Sequence, residues 1–171
     1  MDPAQILLHI YLYWPGAMAN MAPVILKPVF PWLDMPVDAG LRFRGRRLLG
    51  NHKTIRGFVL GISLAIITVY LQRIGPAQWQ LVSYELWWLI GLSLGLGALG
   101  GDAIKSFFKR QTGIPPGKNW FPFDQLDCVI GSILALSWLY WPGFAMVGTL
   151  LLIGLALHLI IKGIGKALGF A

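Results

Sequence analysis

The sequence is poor in cysteine and in charged residues, and each shortage excludes a class of protein. Its one cysteine, Cys128, has no partner in the same chain, so a scaffold held together by internal disulfides is excluded. Charged residues make up 12% of the 171 residues, which is about half the share of roughly 25% found in soluble domains. Because 56% of the residues are hydrophobic, the chain is also too apolar to be disordered. The composition therefore predicts an integral membrane protein.

Familiar catalytic signals are scarce as well. The sequence contains no GxxxxGK[ST] loop, which disfavours a Walker-type ATPase. His9 and His158 lie in apolar stretches without acidic or cysteine neighbours, so we expect packing or interface roles for them rather than metal ligation. Any catalytic chemistry is therefore expected in the polar segments between the apolar stretches.

The apolar stretches predict an all-α integral membrane protein that forms a single domain over residues 1–171. A spanning helix needs about 20 predominantly apolar residues, and about five stretches approach that length. The predicted spans cover approximately residues 6–26, 57–72, 86–104, 126–141 and 144–161, with polar cytoplasmic loops at approximately 27–56 and 105–125. Met1-Asp2-Pro3 carries no basic segment, so we expect the first stretch to be a retained span rather than a signal peptide.

Acidic residues are half as numerous as basic ones, which gives a net charge of +7. This excess indicates an anionic partner, such as nucleic acid, lipid headgroups or a phosphorylated substrate. Seven cations lie between spans 1 and 2, four between spans 3 and 4, and two after span 5, while Arg73 alone lies on the other side. The positive-inside rule then predicts an outside N-terminus and a cytoplasmic C-terminus. Nucleic-acid binding is disfavoured because the cations belong to short membrane loops.

The first polar loop ends in a dense group of donors. Residues 42–57 contain six cations and one histidine and lead directly into span 2. Cations and backbone donors at the start of a helix suit phosphate binding, because the helix N-terminus adds partial positive charge. The candidate binding residues are Asn51, His52, Lys53, Thr54 and Arg56. For Arg42 to Arg47, a surface patch attracted to anionic headgroups is an equally good interpretation.

The second polar segment brings acidic and basic residues together at the end of span 3 and the start of span 4. If the span 3 helix continues, Asp102, Lys105 or Ser106, and Lys109 share one face. Asp124 and Asp127 share a face at the start of span 4. Three carboxylates near one headgroup plane could hold Mg²⁺, which completes its shell with substrate phosphate. The alternatives are a capping box for Asp124 and Asp127, and an i,i+3 ion pair between Asp102 and Lys105.

A site of this composition suits phosphoryl or nucleotidyl transfer, because it would combine a divalent metal with several Lys and Arg and has no evident general base. If the nucleophile is itself a phosphate, it is already ionised near neutral pH and needs no base. Membrane embedding points to a lipid phosphate as that acceptor.

Three motifs resemble a known family. Gly-Asp-Ala-Ile-Lys-Ser-Phe-Phe-Lys-Arg at 101–110, with Asp-Gln-Leu-Asp at 124–127, resembles the signature of CTP-dependent phosphatidate cytidylyltransferases. Asn-His-Lys-Thr-Ile-Arg-Gly at 51–57 resembles the first conserved block of their short archaeal branch, the CDP-archaeol synthases, whose length and five spans also fit. The resemblance implies that CTP and 2,3-di-O-geranylgeranylglyceryl phosphate, an isoprenoid ether lipid phosphate, yield CDP-archaeol and pyrophosphate with Mg²⁺ as cofactor.

The resemblance also implies roles for the candidate residues. Asp102, Asp124 and Asp127 are the expected catalytic carboxylates, which hold metal or CTP phosphates. The groups expected to bind triphosphate or lipid phosphate are Lys53, Arg56, Lys105, Ser106, Arg110 and Lys118, together with Lys109, which is also a catalytic candidate. Asn51, His52 and Thr54 are expected to contact nucleotide or to order the loop.

The expected partners are CTP, the lipid phosphate and membrane lipids, at a cell membrane with the active site facing the cytoplasm. Two alternatives remain at this stage. A CTP-dependent polyprenol or phytol kinase would release CDP rather than pyrophosphate. An anion transporter would use the same charges without turnover.

Overall fold

The structure, a computed structural model, describes residues 2–26, 29–115 and 118–167, with side chains of the last helix described to position 160 and at 163. Within these ranges the chain forms five α-helices: α1 (Pro3–Ile25), α2 (Ile55–Ile74), α3 (Trp87–Gln111), α4 (Phe123–Leu136) and α5 (Phe144–Ala167). Strand β1 (Arg42–Phe43) pairs antiparallel with β2 (Arg46–Arg47) in a short hairpin between α1 and α2. The predicted all-α class is confirmed.

Two of the helices, α2 and α3, are long and apolar enough to cross a membrane, and α5 contains a shorter apolar helix over Phe144–Ile160. The number of spans and the orientation stay predictions. Three cations counted toward that orientation, Lys27, Lys162 and Lys166, lie outside the residues whose side chains are described.

Two helices differ from the predicted spans in ways that matter for the site. Helix α3 continues past the predicted limit at residue 104 to Gln111, which carries its polar end out of the apolar segment. Helix α4 ends at Leu136 rather than near residue 141. Its 14 residues give about 21 Å of helix, less than the roughly 30 Å of a bilayer core. Pro142 and the positive φ of Gly143 separate α4 from α5.

Helix α3 lies at the centre of the fold, where it packs against α1, α2 and α4. Leu12, Ile90, Leu94 and Leu136 are fully buried in this core. On the outer faces, large apolar side chains such as Ile104, Leu134 and Leu152 are exposed. Contiguous exposed apolar surface is what a lipid-facing helix presents.

Glycines let α3 and α4 approach until their backbones touch. A Cβ atom at Gly101 would lie 2.3 Å from the Asp127 carbonyl oxygen, and one at Gly97 would lie 2.4 Å from that of Gly131. Small residues at four-residue spacing are the usual means of such close packing in membranes. This contact brings the polar end of α3 against the start of α4.

Candidate active site

The polar end of α3 projects four candidate side chains along one helical face. Asp102, Lys105, Ser106 and Lys109 all lie within α3, so the condition under which their spacing places them on one face is met. Ser106 and Lys109 are buried. A charged group so close to an apolar span is costly to bury unless it is paired, and the pairs come from α4 and from the loop before α2.

The Lys105 ammonium lies between the three predicted carboxylates. Its Nζ atom is 3.1 Å from Asp102 Oδ1, 2.9 Å from Asp124 Oδ1 and 3.0 Å from Asp127 Oδ2. We call Lys105 and these three aspartates the carboxylate cluster. The i,i+3 pair with Asp102 is therefore real, but it is one part of a larger arrangement that spans two helices.

Two further lysines hold the outer oxygens of the carboxylate cluster. Lys53, from the loop before α2, donates a hydrogen bond to Asp102 Oδ2. Lys109 donates to Asp124 Oδ2 at 2.6 Å, and the backbone N–H of Trp120 donates to the same oxygen at 2.6 Å. Three ammonium groups thus face three carboxylates, which leaves the group as a whole electrically balanced.

The capping-box alternative for the α4 aspartates is not what the structure contains. The N-cap of α4 is Pro122, which makes no side-chain capping bond. Asp127 Oδ1 accepts from the N–H of its neighbour Cys128 at 2.6 Å, and its other oxygen faces Lys105. Each of the two aspartates therefore directs one oxygen at Lys105 rather than at the N-terminus of α4.

The carboxylate oxygens are the hard donors that Mg²⁺ prefers. Asp124 Oδ1 is buried and faces the Lys105 ammonium at 2.9 Å, so a cation that replaced this ammonium would meet an oxygen ligand. The chemistry of the donor set therefore fits a divalent ion. In the described part of the chain, however, no group of three or more His, Cys, Asp or Glu is arranged so that it could hold a metal ion. The Lys105 ammonium lies between the three carboxylates instead.

A polar pocket of about 200 Å³ opens beside the carboxylate cluster. Its lining consists mainly of predicted binding residues: Asn51, His52, Lys53, Lys105, Ser106, Lys109 and Arg110, with Leu49 and Gly50. A neighbouring pocket of about 220 Å³ shares His52 and Lys53 with it and reaches Asp102. This concentration of cationic donors is suited to a polyanion such as a triphosphate.

An apolar groove of about 760 Å³ lies on the other side of the carboxylate cluster, between α3 and α4. It extends from Lys105 and Asp127 to Leu96 and Leu134. Ile104 and Leu134 are exposed along it, so the groove is open toward the lipid-facing surface. Lys105 borders both this groove and the polar pocket.

Three predicted binding residues of the first loop are engaged in local structure. Thr54 is the N-cap of α2 and accepts from the N–H of Gly57 at 3.2 Å. Arg56 is buried and pairs with Asp34 at 3.0 Å. Asn51 borders the polar pocket but accepts a hydrogen bond from Arg47 at 2.8 Å. These contacts favour the loop-ordering role for Thr54 and Asn51 and place Arg56 outside the carboxylate cluster.

The remaining predicted residues divide between the pocket and its surroundings. Arg110 borders the polar pocket. Lys118 is exposed and lines neither the polar pocket nor the groove. The hairpin contacts the C-terminal end of α3. Arg46 donates a hydrogen bond to the Gln111 carbonyl oxygen at 2.5 Å.

Asp38 is a structural residue of the site that the sequence interpretation missed. Its carboxylate is almost fully buried, pairs with Arg47 at 2.6 Å, and accepts from the N–H groups of Gly40, Leu49 and Gly50. Burial opposes ionisation, but the guanidinium and the N–H donors outweigh it and hold the pKa of Asp38 well below its usual range. Asp38 thereby fixes the segment that leads to Lys53. The sequence signal was an Asp two residues before a glycine, which is typical of an Asx turn.

Comparison with known proteins identifies relatives over nearly the whole chain. The CarS-like family model, described as CDP-archaeol synthase, matches residues 4–171. The chain is 42% identical to CDP-archaeol synthase of Methanospirillum hungatei over 130 residues, which cover 71% of this chain and 76% of that protein. It is 38% identical to the enzyme of the same name from Methanopyrus kandleri over 163 residues, 93% of this chain and 87% of that one.

A solved structure has the same fold. It belongs to an intramembrane enzyme for archaeal membrane lipids biosynthesis and superposes with a TM-score of 0.71 at 29% sequence identity. The match covers 90% of this chain and 92% of the other. The arrangement of helices around the carboxylate cluster therefore belongs to an architecture already known in membrane enzymes.

Proposed function

Because this chain belongs to the CDP-archaeol synthase family, a family of membrane nucleotidyltransferases, we propose that it transfers the cytidylyl group of CTP to an ether lipid phosphate. The expected acceptor is 2,3-di-O-geranylgeranylglyceryl phosphate, and the products are CDP-archaeol and pyrophosphate. One observation carries the proposal: Lys105 and its aspartates lie where a polar, cationic pocket meets an apolar groove. A lipid phosphate and a nucleotide have to meet at such a junction.

The polar pocket is the proposed site of the CTP phosphates. Lys53, Lys109 and Arg110 supply cationic donors, and Ser106 supplies a hydroxyl. Such preorganised charges stabilise the negative charge that develops on a departing pyrophosphate. Asn51 and His52, at the rim of the pocket, are placed to contact the nucleotide or to order the loop around it.

The apolar groove is the proposed site of the isoprenoid chains. A lipid lying between α3 and α4 would present its phosphate at the end lined by Lys105 and Asp127. An oxygen of that phosphate would attack the α-phosphorus of CTP, forming the new P–O bond while the bond to the β-phosphate breaks. Because the phosphate is ionised at neutral pH, no side chain has to remove a proton.

The proposal includes Mg²⁺ as cofactor, held by Asp102, Asp124 and Asp127. When bound there, the ion would neutralise phosphate charge and orient the triphosphate. The side chains of the cluster contribute their carboxylate oxygens, while Lys53 and Lys109 fix Asp102 and Asp124 from outside. We also place this face of the protein in the cytoplasm of the cell, on the charge distribution of the loops.

Product identification tests the proposed reaction. Purified protein incubated with CTP labelled in the cytidine, Mg²⁺ and the lipid phosphate should release pyrophosphate and form a labelled lipid. Omission of Mg²⁺ should abolish turnover. Release of CDP with a phosphorylated lipid alcohol would instead identify a kinase. Phosphate flux into proteoliposomes without consumption of CTP would identify a transporter.

Narrowing the groove tests the proposed lipid site. Ile130 is an exposed residue of α4 that lines the groove, so Ile130→Trp should fill it. We expect KM for the lipid phosphate to rise at least about fivefold while KM for CTP stays within about twofold, because only lipid binding is obstructed. Leu152→Trp, at an exposed position of α5, is the matched control. An unchanged lipid KM in Ile130→Trp would place the chains elsewhere.

A further inference from the structure

Lys105 holds the position that a cation would need among the three carboxylates. Its Nζ atom is within 3.1 Å of an oxygen from each of them. We propose that Lys105 is an internal counter-ion that keeps the carboxylate cluster assembled before substrate binds and that a divalent cation must displace. This inference rests on the proposed function and deepens it, because it assigns Lys105 to positioning and to the control of metal binding rather than to simple phosphate contact.

The electrostatic argument starts from the carboxylates. Three negative groups that face one point repel one another strongly at an interface of low dielectric, and an unpaired buried charge is destabilising. Lys53 and Lys109 each neutralise one outer oxygen. In the described part of the chain, Lys105 alone contacts all three aspartates. It therefore supplies in the ligand-free protein the bridging charge that an ion supplies later.

The chemistry of lysine suits a group that has to move. Its ammonium is a compact charge on a flexible stem, whereas arginine is planar and tends to remain fixed by paired hydrogen bonds. Lys105 also borders the polar pocket beside Ser106, Lys109 and Arg110. An ammonium that leaves the cluster can thus move into the pocket proposed for the phosphates of CTP, where an anion would receive it.

This arrangement couples the metal to the nucleotide. Without CTP, a cation has to compete with the Lys105 ammonium, so the metal alone should bind weakly. With CTP, the displaced ammonium gains a phosphate partner and the metal gains phosphate ligands. Both changes raise the affinity of the carboxylate cluster for the metal. Lys105 would then disfavour occupation of the cluster by metal until a nucleotide is present.

Manganese binding to the full-length protein in detergent tests the inference without any turnover. Free Mn²⁺ is measured by electron paramagnetic resonance in the absence of nucleotide, for wild type, Lys105→Met, Lys105→Arg and Arg73→Met. We expect Lys105→Met to bind Mn²⁺ at least about tenfold more tightly, because it removes a competing charge. Lys105→Arg should bind no more tightly than wild type. Arg73→Met removes a cation at the far end of α2 and should match wild type.

The proposed coupling between metal and nucleotide binding gives a second measurement. Adding CTP should raise the Mn²⁺ affinity of wild type at least about tenfold and that of Lys105→Met clearly less. Equal or weaker Mn²⁺ binding by Lys105→Met without nucleotide would overturn the inference. So would an equal effect of CTP on both proteins.

A measurement on wild-type protein covers the case in which Lys105→Met does not fold. Amine-reactive labelling followed by mass spectrometry should show that saturating Mn²⁺ increases the modification of Lys105, because the ammonium leaves its carboxylates. Unchanged or reduced labelling of Lys105 would contradict displacement. If the enzyme forms the CDP-lipid but these Mn²⁺ results fail, the inference falls and the proposed function stands. If no nucleotidyl transfer occurs, the proposed function fails by itself.

Discussion

Replacement of Asp124 or Asp127 by asparagine should lower kcat/KM for CTP by about 100- to 1,000-fold, the range seen when one preorganised electrostatic group is removed from an active site. Each aspartate directs an oxygen at the centre of the carboxylate cluster. Asparagine keeps the size of the side chain but removes the charge and one cation ligand. It also leaves Lys105 with two carboxylates instead of three, so the balance of charge in the site changes.

Steady-state kinetics with both substrates varied, together with thermal unfolding, separates chemistry from folding. We expect each variant to lose most of its kcat/KM while its melting temperature stays close to that of wild type. Glu85→Gln is the matched control, since Glu85 is exposed before α3, at the end of the helix far from the site. Full activity in both Asp124→Asn and Asp127→Asn would contradict the proposed role of the carboxylate cluster.

The second large effect is expected at Gly101, where a methyl group has no room. A Cβ atom there would lie 2.3 Å from the Asp127 carbonyl oxygen, so Gly101→Ala forces α4 away from α3. Overpacking of this kind costs about 1–3 kcal/mol of stability. Because Asp127 is carried on the displaced helix, a shift of about 1 Å at the reacting centre should also reduce kcat/KM by about 100-fold.

Gly100→Ala is the matched control for the stability effect. It makes the same substitution one residue earlier in α3, where a Cβ atom meets nothing within 4 Å. Thermal unfolding should therefore show a clear loss for Gly101→Ala and little change, or a small gain, for Gly100→Ala. Equal melting temperatures for the two variants would mean that the close contact between α3 and α4 does not hold the site together.

The helical face of α3 illustrates what could be predicted from the sequence. The spacing of Asp102, Lys105 and Lys109 predicts a shared face on any continuing helix, because that relation depends on helical periodicity alone. Likewise, Gly97 and Gly101 have the four-residue spacing of a close-packing face. The partners across these faces could not be predicted, because they come from α4 and from the loop before α2.

The residues between α1 and the start of α2 show what the sequence could not predict. Arg56 is predicted to bind phosphate, yet it pairs with Asp34. For Thr54 the sequence leaves open a nucleotide contact or an ordering role, and the structure shows that it caps α2. A cation in a motif can serve a substrate or a neighbouring carboxylate, and local sequence does not distinguish the two. The burial of Asp38 beside Arg47 had no periodic signal, since it depends on how the loop folds back on itself.

By itself, the sequence determined the class of the protein, its helical periodicity and the chemical types gathered in its two polar segments. These properties follow from composition and from local spacing along the chain. Only the tertiary structure decided that Lys105 bridges three aspartates and that a polar pocket and an apolar groove meet beside it. Such contacts depend on the distance between α3 and α4, which is set by the packing of glycines between them. They also depend on the path of the loop before α2, which is fixed by the buried Asp38.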